Sequence, residues 1–119
     1  IKYPEYSKTA ADDFIIADLT HPEGAKRALD LQGESFDEVC QLAANMGGMG
    51  FLATHSSEIM HNSSLINLHV LEEARKTGVK KMLYTSSACI YPEHNQLDPN
   101  NPRCSEDSAY PAHPDTEYG

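Results

Sequence analysis

The sequence has no tryptophan, and no apolar run approaches the ~20 residues that a membrane-spanning helix needs. It also has few cations. Nine Lys and Arg stand against 18 Asp and Glu, which gives a formal net charge of −9. Because this acidic balance repels nucleic-acid backbones and anionic membrane surfaces, we expect neither nucleic acid nor a membrane as a partner.

Cysteine is scarce and irregularly spaced. Cys40, Cys89 and Cys104 are an odd number and do not form a disulfide framework, which predicts a reducing compartment and hence a cytoplasmic protein. Cys40 lies in an apolar strand pattern and is predicted to be buried. Cys104 lies in a polar loop and is predicted to be an exposed thiol. The first residues lack the charged-then-apolar order of a signal peptide.

The histidines give weak signals. Four of them lie on or near predicted helices and are interpreted as surface or hydrogen-bonded side chains: His21, His55, His61 and His69. A zinc site drawn from the remaining two histidines and two cysteines has gaps that match no short zinc motif. Its members would be Cys89, His94, Cys104 and His113. We therefore expect no metal.

Strand and helix patterns alternate along the chain. Short apolar strands are predicted at 14–17, 37–44 and 79–85. The first helix has Thr20 as a candidate cap and Gly33 as its stop. The second is predicted over 56–77, where apolar residues that include Leu71 recur at helical spacing. This order predicts an α/β fold with parallel strands and crossover helices.

Polar and reactive groups stand at the carboxyl ends of these strands, where open parallel sheets bind ligands. Asp18 is predicted either to cap the following helix or to accept hydrogen bonds from a ribose or adenine. The glycine run 47–50 is either a flexible turn or a close backbone approach to a ligand. Ser86 and Ser87 are predicted to hydrogen-bond to backbone groups of the turn, to face a polar ligand, or both. Cys89 is either a small buried hydrophobe or an acid-base thiol.

Several segments resemble the extended short-chain dehydrogenase/reductase family of NAD-dependent sugar-nucleotide enzymes, and within it those that epimerise a GDP-hexose at carbons 3 and 5. The segments are Asp18-Leu19, Gln41 to Phe51, Leu71 to Arg75, Gly78 to Lys81, Ser86 to Pro92 and Tyr118-Gly119. The last matches the start of the family's Tyr-x-x-x-Lys element. The resemblance implies a partial Rossmann-like, doubly wound parallel sheet within one NAD-binding domain over 1–119, with a Pro-rich active-site loop at 92–117.

The resemblance also implies roles for individual residues. The NAD cofactor would be held by Asp18, Leu19, Ala43, Ala44 and Tyr118. The GDP-hexose substrate would be bound by Gly47, Ser87, Ala88 and Cys89. Tyr118 would take the proton of the sugar 4-hydroxyl, Ser87 would steady that oxygen, and Cys89 would be the acid or base on one sugar face.

The family pattern is met only in part. We expect an internal piece of a longer protein, a homodimer when whole. The glycine fingerprint of the first βαβ unit, a C-terminal substrate domain and the lysine four residues beyond Tyr118 are not in the sequence. Three alternatives stay open: another NAD-dependent sugar-nucleotide epimerase or dehydratase, with Thr or an acid in place of Cys89; a non-catalytic nucleotide-binding relative; and a zinc-binding module.

Overall fold

The computed structural model describes residues 10–30 and 32–114. Its helices and strands are α1 (Pro22–Leu29), β1 (Glu38–Gln41), α2 (Met49–Thr54), α3 (Ser56–Thr77) and β2 (Lys81–Tyr84). Three 3-10 turns follow at Ala88–Ile90, Glu93–Asn95 and Glu106–Ala109. The chain divides into two compact units, the first made of Ile1–Ala44 with Asn62–Leu83 and the second of Asn45–His61 with Tyr84–Gly119.

The long helix α3 confirms the prediction for 56–77. Its buried positions are seven, four and four residues apart, which places them on one helix face; they are Ile59, Ile66, Val70 and Ala74. Leu71 was predicted on the same face but is 56% exposed, so that prediction is wrong. Gly78, with φ of 79°, ends the helix in a conformation that suits glycine. Within the described residues no helix is long and apolar enough to cross a bilayer.

Helix α1 begins at Pro22, whose fixed φ suits the first helical position. The predicted cap at Thr20 is wrong, because the N-cap residue is His21 and no side chain caps the helix. Thr20 instead donates its hydroxyl to Asp18 Oδ1 at 2.6 Å. The helix ends at Leu29, and Gly33 follows in a turn with φ of 103°.

Strands β1 and β2 form a two-stranded parallel sheet. The Asp37 carbonyl accepts hydrogen bonds from the N–H groups of Lys80 and Lys81, both at 3.1 Å, which fixes how the strands enter the sheet. Val39 and Met82 pack on one side against a core. The core side chains from α1 and α3 are Ala25, Leu29, Ile66, Val70 and Ala74.

Cys40 is exposed, so the prediction that it is buried is wrong. Successive side chains of a strand point to opposite faces of the sheet. Val39 packs on the core formed by α1 and α3, and Cys40 therefore points to the opposite face of the sheet. Cys104, predicted to be exposed, is half-buried.

The predicted strand 14–17 is absent from the described elements, so the sheet has two strands where three were expected. Among the described residues, 14–17 pair with neither β1 nor β2, so their backbone groups have no ladder partner, and Phe14 is 51% exposed.

The second unit contains a helix that the sequence did not predict. Helix α2 begins at Met49, directly after the N-cap residue Gly48. Phe51 stacks on His55 with ring centroids 4.4 Å apart. The Thr54 hydroxyl donates to the Gly50 carbonyl, one turn earlier in the helix, at 2.8 Å.

Candidate functional site

Asp18 presents a charged carboxylate at the end of the segment that leads into α1. Its Oδ1 accepts hydrogen bonds from the Thr20 hydroxyl at 2.6 Å and from the Thr20 N–H at 3.0 Å. These hydrogen bonds hold the pKa of Asp18 below its ordinary value. Its side chain is 59% exposed, and Oδ2 lies 3.6 Å from His21 Nδ1. Asp18 does not cap α1, so that alternative is wrong.

Gly24 allows the Asp18 segment to lie against α1. A Cβ atom at Gly24 would stand 1.7 Å from the Asp18 carbonyl oxygen, far inside any real contact distance. Sequence reasoning missed this residue. The available signal was a glycine inside a helix, where it costs about 1 kcal/mol relative to alanine and so invites a packing explanation.

Gln41 holds the segment that follows β1. Its side chain is 4% exposed; Oε1 accepts a hydrogen bond from the Ala43 N–H at 3.3 Å and Nε2 donates to the Ala43 carbonyl at 3.0 Å. Nε2 also donates to Asn67 Oδ1 on α3 at 3.0 Å. Strand β1 therefore ends at Gln41 and does not continue to 44 as predicted. The N–H and carbonyl of Ala43 hydrogen-bond to the Gln41 side chain instead of to a neighbouring strand.

The first unit has groups that fit the adenosine half of NAD. The exposed Asp18 carboxylate accepts hydrogen bonds, which is what the amine of adenine and the hydroxyls of ribose require. Ala43 and Ala44 are exposed and small, so they leave room for a ring or a ribose to lie against the backbone. Leu19, next to Asp18, packs on the core.

In the second unit one tight turn brings together Ser87, Ala88 and Cys89. Ser87 Oγ accepts a hydrogen bond from the Cys89 N–H at 3.1 Å. The Ser87 carbonyl accepts from the Ile90 N–H at 3.3 Å, which closes the 3-10 turn. Cys89 is half-buried, neither enclosed nor fully exposed.

Gln96, in the polar loop, hydrogen-bonds to two carbonyl groups of the same turn. Its Nε2 donates to the Tyr91 carbonyl at 3.2 Å and to the Ala88 carbonyl at 3.5 Å. The Ala88 carbonyl also accepts the Tyr91 N–H at 3.1 Å. Sequence reasoning did not single out Gln96, and no local pattern marks it.

Gly47 is exposed and lies beside the ring of Phe51 in the second unit. A Cβ atom at Gly47 would be 2.6 Å from Phe51 Cδ1, so any side chain there would move the ring. Glycine therefore leaves the backbone at this position uncovered, as binding a ligand through the backbone requires.

Tyr118 lies outside the described residues. Within 10–30 and 32–114 no group of three or more His, Cys, Asp or Glu side chains could hold a metal ion.

A cavity of about 330 Å³ opens in the first unit between the ends of α1 and α3, and none of the predicted site residues lines it. Its lining includes Lys26, Glu34, Glu73 and Thr77.

Comparison with known proteins gives consistent matches. The model of the family described as "NAD dependent epimerase/dehydratase family" matches residues 2–119. GDP-mannose 3,5-epimerase of Arabidopsis thaliana is 43% identical over 108 residues, which are 91% of this chain and 28% of that protein. GDP-mannose 3,5-epimerase 1 of Oryza sativa subsp. indica is 51% identical over 85 residues, 71% of this chain and 22% of that protein.

GDP-L-fucose synthase of Escherichia coli (strain K12) is a more distant relative. It is 30% identical over 60 residues, which are 50% of this chain and 19% of that protein. The chain thus spans about a quarter of the length of the curated relatives that it matches.

Proposed function

Since the chain belongs to the NAD dependent epimerase/dehydratase family, we propose that it supplies part of the cofactor site and of the sugar site of a GDP-mannose 3,5-epimerase. The observation that carries this proposal is the turn that joins Ser87 to Cys89, a hydroxyl and a thiol held two residues apart. The identities of 43% and 51% to two plant GDP-mannose 3,5-epimerases support the choice of substrate.

The first unit binds the cofactor in this proposal. Asp18 and Leu19 border the adenine end of NAD, and Ala43 and Ala44 lie under it. NAD, when bound, supplies the hydride acceptor for sugar carbon 4 and returns the hydride after epimerisation. The contribution of this chain is to hold a charged acceptor and a flat backbone surface in fixed positions, through Thr20 and Gln41.

Ser87 and Tyr118 act on the oxygen at sugar carbon 4. Tyr118 accepts the proton of the 4-hydroxyl and later returns it, while Ser87 donates a hydrogen bond to the same oxygen. The Ser87 oxygen already accepts the Cys89 N–H, which leaves its own proton for donation to the sugar. A lysine after Tyr118 in the full-length protein would lower the tyrosine pKa from about 10.

Cys89 exchanges a proton at the adjacent carbons. A ketone at carbon 4 acidifies the hydrogens on carbons 3 and 5, so ordinary acid-base groups are sufficient to invert them. The half-buried Cys89 thiol lies on the Ser87 turn and serves one face of the ring. A lysine from outside this sequence serves the other face.

Replacement of Cys89 tests the proposal. In the full-length protein, Cys89→Ala and Cys89→Ser are expected to lower the rate of GDP-mannose epimerisation by about 10²–10⁴, the usual contribution of a positioned acid or base. Cys104→Ser is the matched control, because Cys104 is also a half-buried thiol, and it is expected to keep the wild-type rate. Unchanged epimerisation in Cys89→Ala would show that the thiol is only packing.

A second candidate is another enzyme of the same family that acts on a GDP-sugar, since GDP-L-fucose synthase matches half of the chain. The mass of the product separates the two. Epimerisation gives a product of the same mass as the substrate, whereas a dehydratase releases water and a reductase adds hydrogen. Mass spectrometry of the reaction mixture therefore decides between them.

The assembly and the location of the protein are also part of the proposal. We expect a homodimer when the protein is whole, and the irregular cysteine pattern predicts a location in the cytoplasm. Light scattering of the full-length protein at a defined concentration measures the first, and fractionation of cells measures the second.

A further inference from the structure

His69 connects the long helix to the segment that carries Asp18. Its Nδ1 lies 3.3 Å from the Leu19 carbonyl oxygen, a contact between residues 50 apart in the sequence. Both residues belong to the first unit. The ring is half-buried, so water competes for this hydrogen bond less than it would at an exposed site.

The chemistry of the contact fixes which atom carries the proton. A backbone carbonyl oxygen only accepts hydrogen bonds, so Nδ1 of His69 must be the donor. The bond therefore exists both in the Nδ1–H neutral tautomer and in the imidazolium form, and it is lost only in the tautomer with the proton on Nε2.

The bond links α3 to a segment that also lies against α1 at Gly24. The side-chain hydrogen bonds of Asp18 and Thr20 join these residues to each other and to His21, so they shape the turn without attaching it to α3. The Leu19 side chain packs on the core. The Leu19 carbonyl shares one planar peptide with the Thr20 N–H, which donates to Asp18 Oδ1 at 3.0 Å. The His69 bond therefore holds, from α3, the same peptide plane that binds the Asp18 carboxylate.

We propose that His69 is a positioning residue for the adenine end of the NAD site. The proposal rests on the function proposed above, in which Asp18 and Leu19 border the adenine. His69 does not touch the cofactor. It holds the Leu19 peptide so that the Asp18 carboxylate, 59% exposed, keeps one orientation before the adenosine half arrives. Without the His69 hydrogen bond, the adenosine half of NAD would have to order the segment when it binds, and this would lower its affinity.

Three variants distinguish the effect of the His69 hydrogen-bond donor from the effect of the size of its side chain. His69→Leu removes the hydrogen bond and keeps an apolar side chain of similar size. His69→Asn retains a donor, because the amide nitrogen of Asn occupies about the place of Nδ1. His61→Leu, at an exposed histidine of the same helix, is the matched control.

The readout is the binding of ADP-ribose, which contains the adenosine half of NAD without nicotinamide, measured by calorimetry on the full-length protein. GDP-mannose binding is measured beside it. We expect His69→Leu to weaken ADP-ribose binding about fivefold, the equivalent of one ordinary hydrogen bond, and to leave GDP-mannose binding unchanged. His69→Asn and His61→Leu are expected to bind ADP-ribose as the wild type does.

The outcomes distinguish the two proposals. If wild-type protein binds neither ADP-ribose nor NAD, the proposed function fails. If wild-type binds ADP-ribose and His69→Leu binds it equally well, or if His69→Leu weakens GDP-mannose binding by the same factor, the positioning role of His69 is wrong. Should His69→Leu not fold, as judged by circular dichroism, His69→Ala replaces it, and equal ADP-ribose affinity of the Asn and Ala variants contradicts the proposal.

Discussion

The Oγ atom of Ser87 accepts a hydrogen bond from the Cys89 N–H at 3.1 Å, and this bond sets the geometry of the whole turn. A hydroxyl has two acceptor lone pairs and one proton. With one lone pair engaged by the backbone, rotation of the Ser87 hydroxyl is restricted. The hydroxyl keeps its own proton for donation, which is what the proposed hydrogen bond to the sugar 4-oxygen requires.

Ser87→Ala is predicted to lower the rate of GDP-mannose epimerisation by about 10²–10³, the cost of losing one hydrogen-bond donor to an oxygen that gains charge. Ser87→Thr keeps the hydroxyl and is expected to retain most of the rate. Ser86→Ala, at the exposed neighbouring serine, is the control. Steady-state kinetics measures the effect, and equal rates for Ser87→Ala and Ser86→Ala would remove Ser87 from the site.

Gly24→Ala is predicted to weaken ADP-ribose binding by more than tenfold. The added Cβ would stand 1.7 Å from the Asp18 carbonyl oxygen, so the segment that carries the carboxylate must move away from α1. Elsewhere in a helix the same change is stabilising by about 1 kcal/mol. Arg27→Ala, an exposed position of α1, is the control, and binding is measured by calorimetry. Wild-type affinity in Gly24→Ala would contradict the close approach.

Gln41→Leu is predicted to destabilise the protein by about 1 kcal/mol, because the Ala43 backbone groups and Asn67 lose a partly buried hydrogen-bond partner. Gln41→Glu keeps the shape and the acceptors, but it removes the Nε2 donor and buries a charge, so it is expected to destabilise more. Urea unfolding measures both variants. A Gln41→Leu variant as stable as the wild type would show that the clamp on Ala43 contributes nothing.

The pKa of Asp18 is predicted to lie below 3.8 in the folded protein, because Thr20 donates hydrogen bonds to the carboxylate. A carboxyl whose pKa is depressed by folding adds stability above its unfolded pKa, and that stability is lost as the pH falls through the folded pKa. The carboxylate should therefore stay charged throughout the neutral range, and ADP-ribose binding should not change between about pH 5 and 8 through this group.

Carbon-13 NMR of the Asp18 carboxyl measures this pKa directly. Thr20→Val removes the hydroxyl but keeps the Thr20 N–H, so the pKa should rise toward 3.8 without reaching it. A titration midpoint that is the same in wild type and Thr20→Val would show that the hydroxyl does not bind the carboxylate.

The parts of the fold that follow from local patterns were predictable. The bounds of α3 follow from apolar residues at helical spacing and from Gly78, since both signals lie inside one segment. The strand at 14–17 was wrong because a strand exists only with a partner, and the partner is a property of the sheet rather than of the segment.

In the candidate site, too, the features with a local sequence signal were predictable and the contacts between distant residues were not. Motif resemblance indicated Ser87, Cys89 and Asp18, and the hydrogen bonds of these residues to Cys89 N–H and Thr20 reach only two positions along the chain. The contacts between distant residues had no local signal. Gln41 reaches Asn67 across 26 residues, and His69 reaches Leu19 across 50. Such pairs depend on the packing of α3 against the rest of the first unit, which no short window of sequence encodes.

The exchange of hydrogen at carbons 3 and 5 of the sugar tests the central claim most directly. The full-length protein is incubated with GDP-mannose and NAD in deuterium oxide, and the sugar protons are followed by NMR. The account predicts that deuterium replaces hydrogen at both carbons as a GDP-galactose-type product of unchanged connectivity appears, and that Cys89→Ala slows this exchange. Retention of hydrogen at both carbons in the wild-type protein would contradict it.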